Sequence, residues 1–431
     1  MTTAIILVFI VGYLLIAFEN VTLISKTAVS LLMAVICWAL YYVGFGASVD
    51  VFTKTLGETS EILFFLLGAM VIVEVVDTNG GFDFVRDKLR SKTKRSLLWK
   101  LVFMTFFLSA VLDNMTTAIV MIMVLNKLIE NGRDKLLYSS MVILAANSGG
   151  AFSPIGDVTT IMLWVKGNIS TFGVVKSLLI PSLVSVIVPG LILGQMLKGD
   201  LQIPDRPVDC CVGKTNLDTT PAERWIVFIT GVGGLLFVPI FRFLTGLSPF
   251  MGILLILFLL WIITEFMFKQ KKYKDIPPHR LPDVSALLHK IDISTILFFL
   301  GILTAVAALA ETGALKRLGN LLDVTFDGNP YLVTTIIGFF SAVVDNVPLV
   351  ASCMGMYDLA TYGMDNNFWL LLAYCAGIGG SMLIIGSAAG VVVMGLQNIS
   401  FGWYLKHFSW TACLGYLSGI LAFWLQDLLF F

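Results

Sequence analysis

Apolar runs near or above the length of a membrane-spanning helix recur along the whole chain. A helix needs about 20 mostly apolar residues to cross the hydrocarbon core of a bilayer. Charged residues make up 13% of the chain, roughly half of the ~25% found in soluble domains. The sequence therefore predicts a polytopic helical membrane protein and excludes a soluble enzyme with one anchor. The runs lie at 4–18, 27–46, 61–77, 101–129, 136–165, 172–197, 225–241, 247–268, 293–310, 331–360, 367–396 and 408–430.

Three of these runs are unusual. The runs 101–129 and 331–360 are about 30 residues long, or roughly 45 Å as a helix at ~1.5 Å per residue. Each is interrupted at its centre by a polar pair, Asp-Asn, at 113–114 and 345–346. The run 136–165 is broken by the helix-disrupting string NSGGAFSPIGD. These interruptions predict discontinuous helices at the depth of the membrane.

The two 30-residue runs allow two interpretations, a long tilted span or a re-entrant hairpin of two half-helices. Cytoplasmic loops collect Lys and Arg, and basic residues flank the run 101–129 at both ends. A hairpin brings both ends to the cytoplasm, so the charge pattern favours hairpins. The flanking basic residues are Arg86, Lys88, Arg90, Lys92, Lys94, Arg95 and Lys100 before the run, and Lys127, Arg133 and Lys135 at or after its end.

The two halves of the chain resemble each other in three places and in the same order. LSAVLDN (108–114) matches FSAVVDN (340–346), GGAFSPIGD (149–157) matches GGSMLIIGS (379–387), and ILFFLLGAM (62–70) matches ILFFLGIL (296–303). The predicted fold is an all-α polytopic membrane protein with two repeats, residues 1–197 and 225–431, joined by a cytoplasmic linker at 198–224. Each repeat holds five spanning helices, one of them discontinuous, and one re-entrant hairpin. An odd number of spans inverts the second repeat, and inverted repeats place substrate sites near the midplane.

Acids deep in apolar sequence are the strongest functional signal, because a charged carboxylate at mid-bilayer costs about 2.5–3.5 kcal/mol. The deepest are Asp113, Asp157 and Asp345. With Asn114 and Thr116, Asp113 supplies carboxylate, amide and hydroxyl oxygens at a helix break, the ligands that hard cations prefer. The alternative is that these residues only cap half-helices. Capping does not require a charged residue at depth twice, so the pattern favours an ion site.

The broken helices add further oxygen ligands. Asn147, Asp157, Thr159 and Thr160 lie in the first break, whereas the second repeat offers only Ser381 and Ser387. No Lys or Arg lies deep in the discontinuous segments, so the site should attract cations and repel carboxylate substrates. We expect sodium at Asp113, Asn114, Asn147 and Asp157, with protons competing for the same oxygens. Sodium or lithium and protons are then the substrates, with no cofactor and no nucleic-acid partner.

At these residues the chain resembles the NhaD-type sodium/proton antiporters of the ion transporter superfamily. The similar segments are EILFFLLGAMVIVEVVD (61–77), SAVLDNMTTA (109–118), NSGGAFSPIGDVTT (147–160) and SAVVDN (341–346). The resemblance implies export of sodium or lithium in exchange for protons, a homodimer with elevator-like movement, and a bacterial inner-membrane location. It also implies roles for Ser109, Asp113, Asn114, Asn147, Asp157, Thr159, Thr160, Ser341 and Asn346.

Two alternatives to sodium/proton exchange remain at this stage. Relatives in the same superfamily carry arsenite or dicarboxylates, and the dicarboxylate group has neutral hairpin tips, unlike Asp113 and Asp345. An intramembrane aspartyl protease needs two apposed aspartates. Here Asp157 follows Ile155-Gly156 rather than Gly-x-Gly, which argues against the protease.

Overall fold

The computed structural model describes residues 1–17, 23–46, 49–81, 89, 91–129, 132–197, 199–201, 220–270, 287–288, 291–343 and 345–430. Within these ranges the secondary structure is helical, apart from one isolated bridge between Thr93 and Asp200. The helices are α1 Thr2–Ala17, α2 Lys26–Phe45, α3 Val49–Thr78, α4 Lys94–Ser109, α5 Asn114–Leu128, α6 Arg133–Ala151, α7 Val158–Val165, α8 Thr171–Met196, α9 Pro221–Thr245, α10 Pro249–Gln270, α11 Ile293–Glu311, α12 Ala314–Thr325, α13 Pro330–Ser341, α14 Asn346–Met356, α15 Asn367–Gly379, α16 Ala388–Gln397, α17 Phe401–His407 and α18 Ser409–Phe430.

Seven of the helices in the described ranges are long and apolar enough to cross a membrane. The number becomes eight if the bent pair α16 and α17, which meet at 109°, counts as one span. The prediction of a multi-pass helical membrane protein is confirmed. One boundary differs clearly: α3 begins at Val49, twelve residues before the predicted run 61–77. The backbone stays helical through the polar residues 49–60, which hydropathy alone could not reveal.

All four predicted interruptions are real helix breaks. The chain leaves the helical form after Ser109 and after Ser341, and again between α6 and α7 and between α15 and α16. At the start of the helix that follows each break, a polar side chain accepts a hydrogen bond from a backbone N–H. This contact satisfies a donor that the new helix leaves unpaired. The four caps are Asp113, Asp157, Asp345 and Ser387.

Packing divides most helices into two groups. One group, here called the six-helix group, comprises α1, α2, α3, α9, α10 and α11, which pack on one another. The other, here called the site group, contains both pairs of broken elements, α4 to α7 and α13 to α16, together with α8, α17 and α18. Contacts between the groups include α11 with α14 and α3 with α7. The helices with breaks are therefore carried by one packed unit, beside a second unit of continuous helices.

The two halves repeat the same contacts where the helices cross. The Ser109 hydroxyl donates to the Ala146 carbonyl at 2.6 Å, and the Ser341 hydroxyl donates to the Ala376 carbonyl at 2.6 Å. Gly149 and Gly379 lie directly against the backbone carbonyls of Phe106 and Gly338. A Cβ at either glycine would overlap that oxygen, so the repeated glycines permit the close approach of backbones. The matching sequence segments of the two halves therefore make equivalent contacts.

Several predicted loops fall outside the described residues. The linker 198–224 is described only at 199–201 and 220–224, and the basic loop 86–100 only at 89 and 91–100. In the basic loop 269–290, only 269–270 and 287–288 are described.

Candidate functional site

Segments from both halves of the chain meet at the carboxylate of Asp157. Its Oδ2 accepts from Asn114 Nδ2 at 2.8 Å and from Asn346 Nδ2 at 3.4 Å. These amides begin α5 and α14, the second helices of the two interrupted runs. Its Oδ1 accepts the Thr159 backbone N–H at 3.0 Å. Asp157 is 1% exposed, so three donors from three parts of the chain surround a buried acid.

Asn147 extends this cluster into the second repeat. Its Oδ1 accepts from Asn114 at 3.0 Å, and its Nδ2 donates to the hydroxyls of Ser381 at 2.8 Å and Ser387 at 2.9 Å. Asn147, Ser381 and Ser387 are buried. We call Asn114, Asn147, Asp157, Asn346, Ser381 and Ser387 the central cluster. Residues more than 230 positions apart in the sequence thus form one hydrogen-bonded unit.

Local backbone geometry explains how Asp157 reaches this position. Asp157 precedes α7 in extended conformation, with φ −145° and ψ 146°, and its side chain turns back to cap the helix. A Cβ built on Gly156 would lie 2.6 Å from the Ser109 carbonyl oxygen, so glycine lets the break press against α4. The Thr160 hydroxyl donates to the Asp157 carbonyl at 2.9 Å. The buried Thr159 hydroxyl lies close to the Asp157 carboxylate, which places a further oxygen beside the acid.

Asp113 and Asp345 do not hydrogen-bond into the central cluster. Asp113 accepts from the Thr116 backbone N–H at 2.8 Å and from the Thr116 hydroxyl at 2.5 Å. Asp345 accepts from the Val347 N–H at 3.2 Å. Both acids lie near enough to Asp157 to interact with it electrostatically. Their contacts match the capping alternative raised from the sequence, while their charges still act on the cluster.

Two adjoining cavities reach these acids. Cavity A, about 60 Å³, is lined by Asp113 and Asn114 and by α3 residues including Phe65 and Val73. Cavity B, about 150 Å³, is lined by Asp345 together with Lys26 and Asp292. Met115, Thr295, Phe299 and Ala388 border both cavities. Asn114 belongs to the central cluster, so cavity A reaches the edge of the cluster.

The predicted site residues therefore separate into three sets. Asn114, Asn147, Asp157, Asn346, Ser381 and Ser387 form the central cluster, and Thr159 and Thr160 flank it on α7. Asp113, Thr116 and Asp345 lie at the starts of α5 and α14. Ser109 and Ser341 hold α4 and α13 against α6 and α15.

The second half of the chain contributes fewer polar side chains to the cluster than the first half, and packing explains the difference. Gly377 is the counterpart of Asn147, and a Cβ placed there would lie 3.7 Å from Asp157 Oδ2. A larger side chain at that position would compete with the carboxylate for one space. The two breaks therefore pack directly against each other at Asp157 and Asn147, and the cluster holds one acid.

The residues that line cavity B but lie outside the broken helices were not identified from the sequence. Lys26 and Asp292 lie at the starts of α2 and α11, where Thr27 donates to the Ser294 carbonyl at 3.0 Å. The Lys26 ammonium lies 4.9 Å from the centre of the Phe298 ring. Each residue is unremarkable as a charge at a helix end. Only a pairing of α2 with α11 could have indicated that they share a cavity.

The protein family and the individual proteins that this chain matches are transporters. A family model described as "Citrate transporter" matches residues 13–367. "Sodium/proton antiporter 2" from Arabidopsis thaliana is 44% identical, over 97% of this chain and 98% of that protein. "Sodium/proton antiporter 1" from the same plant is 44% identical, over 97% of this chain and 71% of the relative. "Na(+)/H(+) antiporter NhaD" from Alkalimonas amylolytica is 31% identical, over 98% and 90%.

Proposed function

Because this chain belongs to the citrate-transporter family and to its NhaD-type sodium/proton antiporters, we propose that sodium and protons are exchanged at the central cluster. The chain is a multi-pass membrane transporter, not an enzyme, and its substrates are sodium and protons. The observation that carries the site assignment is the buried Asp157 carboxylate, held between amides from both repeats.

The chemistry of the cluster fits a small hard cation. Sodium takes several oxygen ligands, and the cluster offers carboxylate, amide and hydroxyl oxygens without a cation among their hydrogen-bond partners. The amides of Asn114 and Asn346 now donate to Asp157. Rotating such an amide by about 180° replaces its NH₂ with its carbonyl oxygen. Sodium and a proton then use the same carboxylate in alternation, one held by oxygens and the other bonded to Asp157.

The charges around the cluster argue against a carboxylate substrate. Asp157 interacts electrostatically with both Asp113 and Asp345, so a citrate-like anion at the cluster would meet three acids. The fixed cation of cavity B, Lys26, comes from α2 rather than from a broken helix. A cation is therefore the better-matched substrate, although the family model bears the name of citrate.

For the membrane arrangement we propose two inverted repeats, with α4–α5 and α13–α14 as re-entrant hairpins. The repeated serine and glycine contacts support a repeat, and the basic residues around the run 101–129 support a hairpin open to the cytoplasm. Gly132 and Gly363 follow α5 and α14, respectively, and each has open space around its Cα. Cysteine introduced at Gly363 should react with an impermeant reagent from outside, and cysteine introduced at Gly132 should not. Labelling of position 132 from outside would contradict the hairpin.

We also propose a homodimer in the bacterial inner membrane. Proton-coupled export requires a membrane with a proton gradient, and several relatives named NhaD come from bacteria. Since two relatives at 44% identity come from a plant, an organelle membrane is the alternative outcome. Membrane fractionation in the source cell distinguishes the two. Light scattering of the detergent-solubilised protein measures the subunit number.

The transport assignment is tested in everted vesicles that carry an acid interior. Added sodium or lithium should collapse the pH gradient, whereas potassium should not, since the compact cluster suits a small ion. An Asp157→Asn protein at matched expression serves as the negative control. A gradient that responds to citrate and not to sodium would overturn the assignment.

A further inference from the structure

The end of α7 far from the ion cluster is held by side chains of the six-helix group. Arg242 on α9 donates from Nη1 to the Trp164 carbonyl at 2.5 Å and from Nη2 to the Val165 carbonyl at 3.5 Å. Its guanidinium lies 4.8 Å from the Trp164 ring centre. Beside it, Lys166 pairs with Glu58 of α3. We call Arg242 with Lys166–Glu58 the α7 grip.

The contacts of Arg242 match what a helix end lacks. The last carbonyls of a helix have no partner within it and carry a partial negative charge. A guanidinium supplies several donors in a planar fork and stacks on an aromatic ring, and lysine cannot do both. The Lys166–Glu58 pair is partly exposed, at 32% and 46%, and exposed pairs contribute little. Arg242 is therefore the principal member of the grip.

The short length of α7 connects the grip to the ion cluster. The helix has eight residues, or about 12 Å at 1.5 Å per residue. Asp157 caps its first turn and Arg242 holds its last carbonyls. A helix this short behaves as a rigid rod, so fixing one end restricts the position of the other. Arg242 acts on the carboxylate through α7 without touching it.

The grip lies nearer to the N-terminal end of α3 than cavity A does. Glu58 belongs to the grip, whereas Phe65 and Val73 line cavity A. Glu61, one turn after Glu58, interacts electrostatically with Arg242 and accepts from the Ser248 hydroxyl at 2.8 Å. The six-helix group therefore contacts α7 on the N-terminal side of cavity A along α3.

We propose that Arg242 is a positioning residue whose contact with α7 closes the transporter on the side where Arg242 lies, here called the grip face. This contact must be released when the grip face opens. The proposal rests on the assigned exchange function, because an antiporter must expose one site to each face in turn. A contact present in only one of two states shifts their populations by its own strength. Removing the guanidinium should therefore populate the state that opens at the grip face.

The test compares apparent sodium affinity from the two faces, in everted and in right-side-out vesicles. Apparent affinity at a face is the intrinsic value reduced by the fraction of protein open there. The ratio of the two KM values thus follows the ratio of the two populations. Arg242→Gln should change that ratio on the order of tenfold, with improved affinity at the grip face. Arg242→Lys should give a smaller change in the same direction, since it keeps the charge and loses the fork.

Controls separate this effect from general damage. Arg224→Gln removes a cation from the other end of α9 and should leave the ratio unchanged. If Arg242→Gln is not produced, Lys166→Gln and Glu58→Gln disturb the same grip at partly exposed positions and should shift the ratio less, in the same direction. An unchanged ratio in these variants, or an equal shift in Arg224→Gln, would overturn the proposal. Absence of sodium/proton exchange in the unmodified protein would instead overturn the assigned function.

Discussion

Replacing Asp157 with Asn should unbalance the central cluster, because the new side chain has one oxygen where the acid has two. Asp157 accepts from Asn114, Asn346 and the Thr159 N–H. If the new oxygen takes the Oδ2 position, the Thr159 N–H meets an NH₂ group. If it takes the Oδ1 position, the amide NH₂ groups of Asn114 and Asn346 both meet the new NH₂ group. With the Asn114 and Asn346 amides in their present orientation, at least one buried donor loses its acceptor.

The cost follows from burial. An unpaired buried donor costs about 1–3 kcal/mol, so Asp157→Asn should lower the free energy of unfolding by about that amount. Asp113→Asn is the matched control, since it also removes one negative charge. Asn caps helices as well as Asp does, and the Thr116 hydroxyl that donates to Asp113 can also accept. Its cost should stay within about 0.5 kcal/mol.

Thermal unfolding in detergent, with and without sodium, measures both effects. A ligand present at 100 times its dissociation constant stabilises the folded state by about 2.7 kcal/mol. Sodium should therefore raise the unfolding midpoint of the unmodified protein and leave that of Asp157→Asn unchanged. Asp113→Asn should retain sodium stabilisation with affinity weakened about tenfold, or ~1.4 kcal/mol, because its charge acts at a distance.

Two results would refute this reasoning. Equal destabilisation by Asp157→Asn and Asp113→Asn would show that the three contacts at Asp157 do not stabilise the fold. A sodium-dependent midpoint in Asp157→Asn, together with retained exchange, would remove the cation from that carboxylate altogether.

Three further predictions follow from the same geometry. If sodium and a proton share the Asp157 carboxylate, each unit of falling pH below its titration should weaken apparent sodium affinity about tenfold; a constant affinity between pH 6 and 9 would favour separate pathways. Gly149→Ala should abolish production of folded protein because its Cβ meets the Phe106 carbonyl, whereas Gly377→Ala should fold, with its nearest neighbour 3.4 Å away; equal yields would contradict the packing. Asn147→Ala should lower exchange more than Ser381→Ala in vesicles, since it loses an acceptor and two donated bonds; the reverse order would contradict its central place.

All six members of the central cluster were predicted from the sequence, because depth and residue type are local properties. A carboxylate or amide inside an apolar run is costly wherever the run packs, so Asp157, Asn147 and Asn346 could be identified one by one. The sequence did not show which acid lies at the centre of the cluster. Asp113 and Asp157 lie equally deep in apolar sequence, and both cap a helix. Only packing surrounds Asp157 with donors from separate segments, whereas Asp113 accepts from Thr116 of the helix that it caps.

The sequence alone determined the membrane class and the positions of the helix breaks, and it favoured a cationic substrate. These depend on hydropathy, on helix-breaking residues and on charge, which act over a few neighbouring positions. Tertiary structure decided how distant segments meet: Asn114 with Asp157, Lys26 beside Asp345 in one cavity, and Arg242 on the end of α7. Such contacts depend on which helices pack together, and a pattern within one helix does not specify its neighbour.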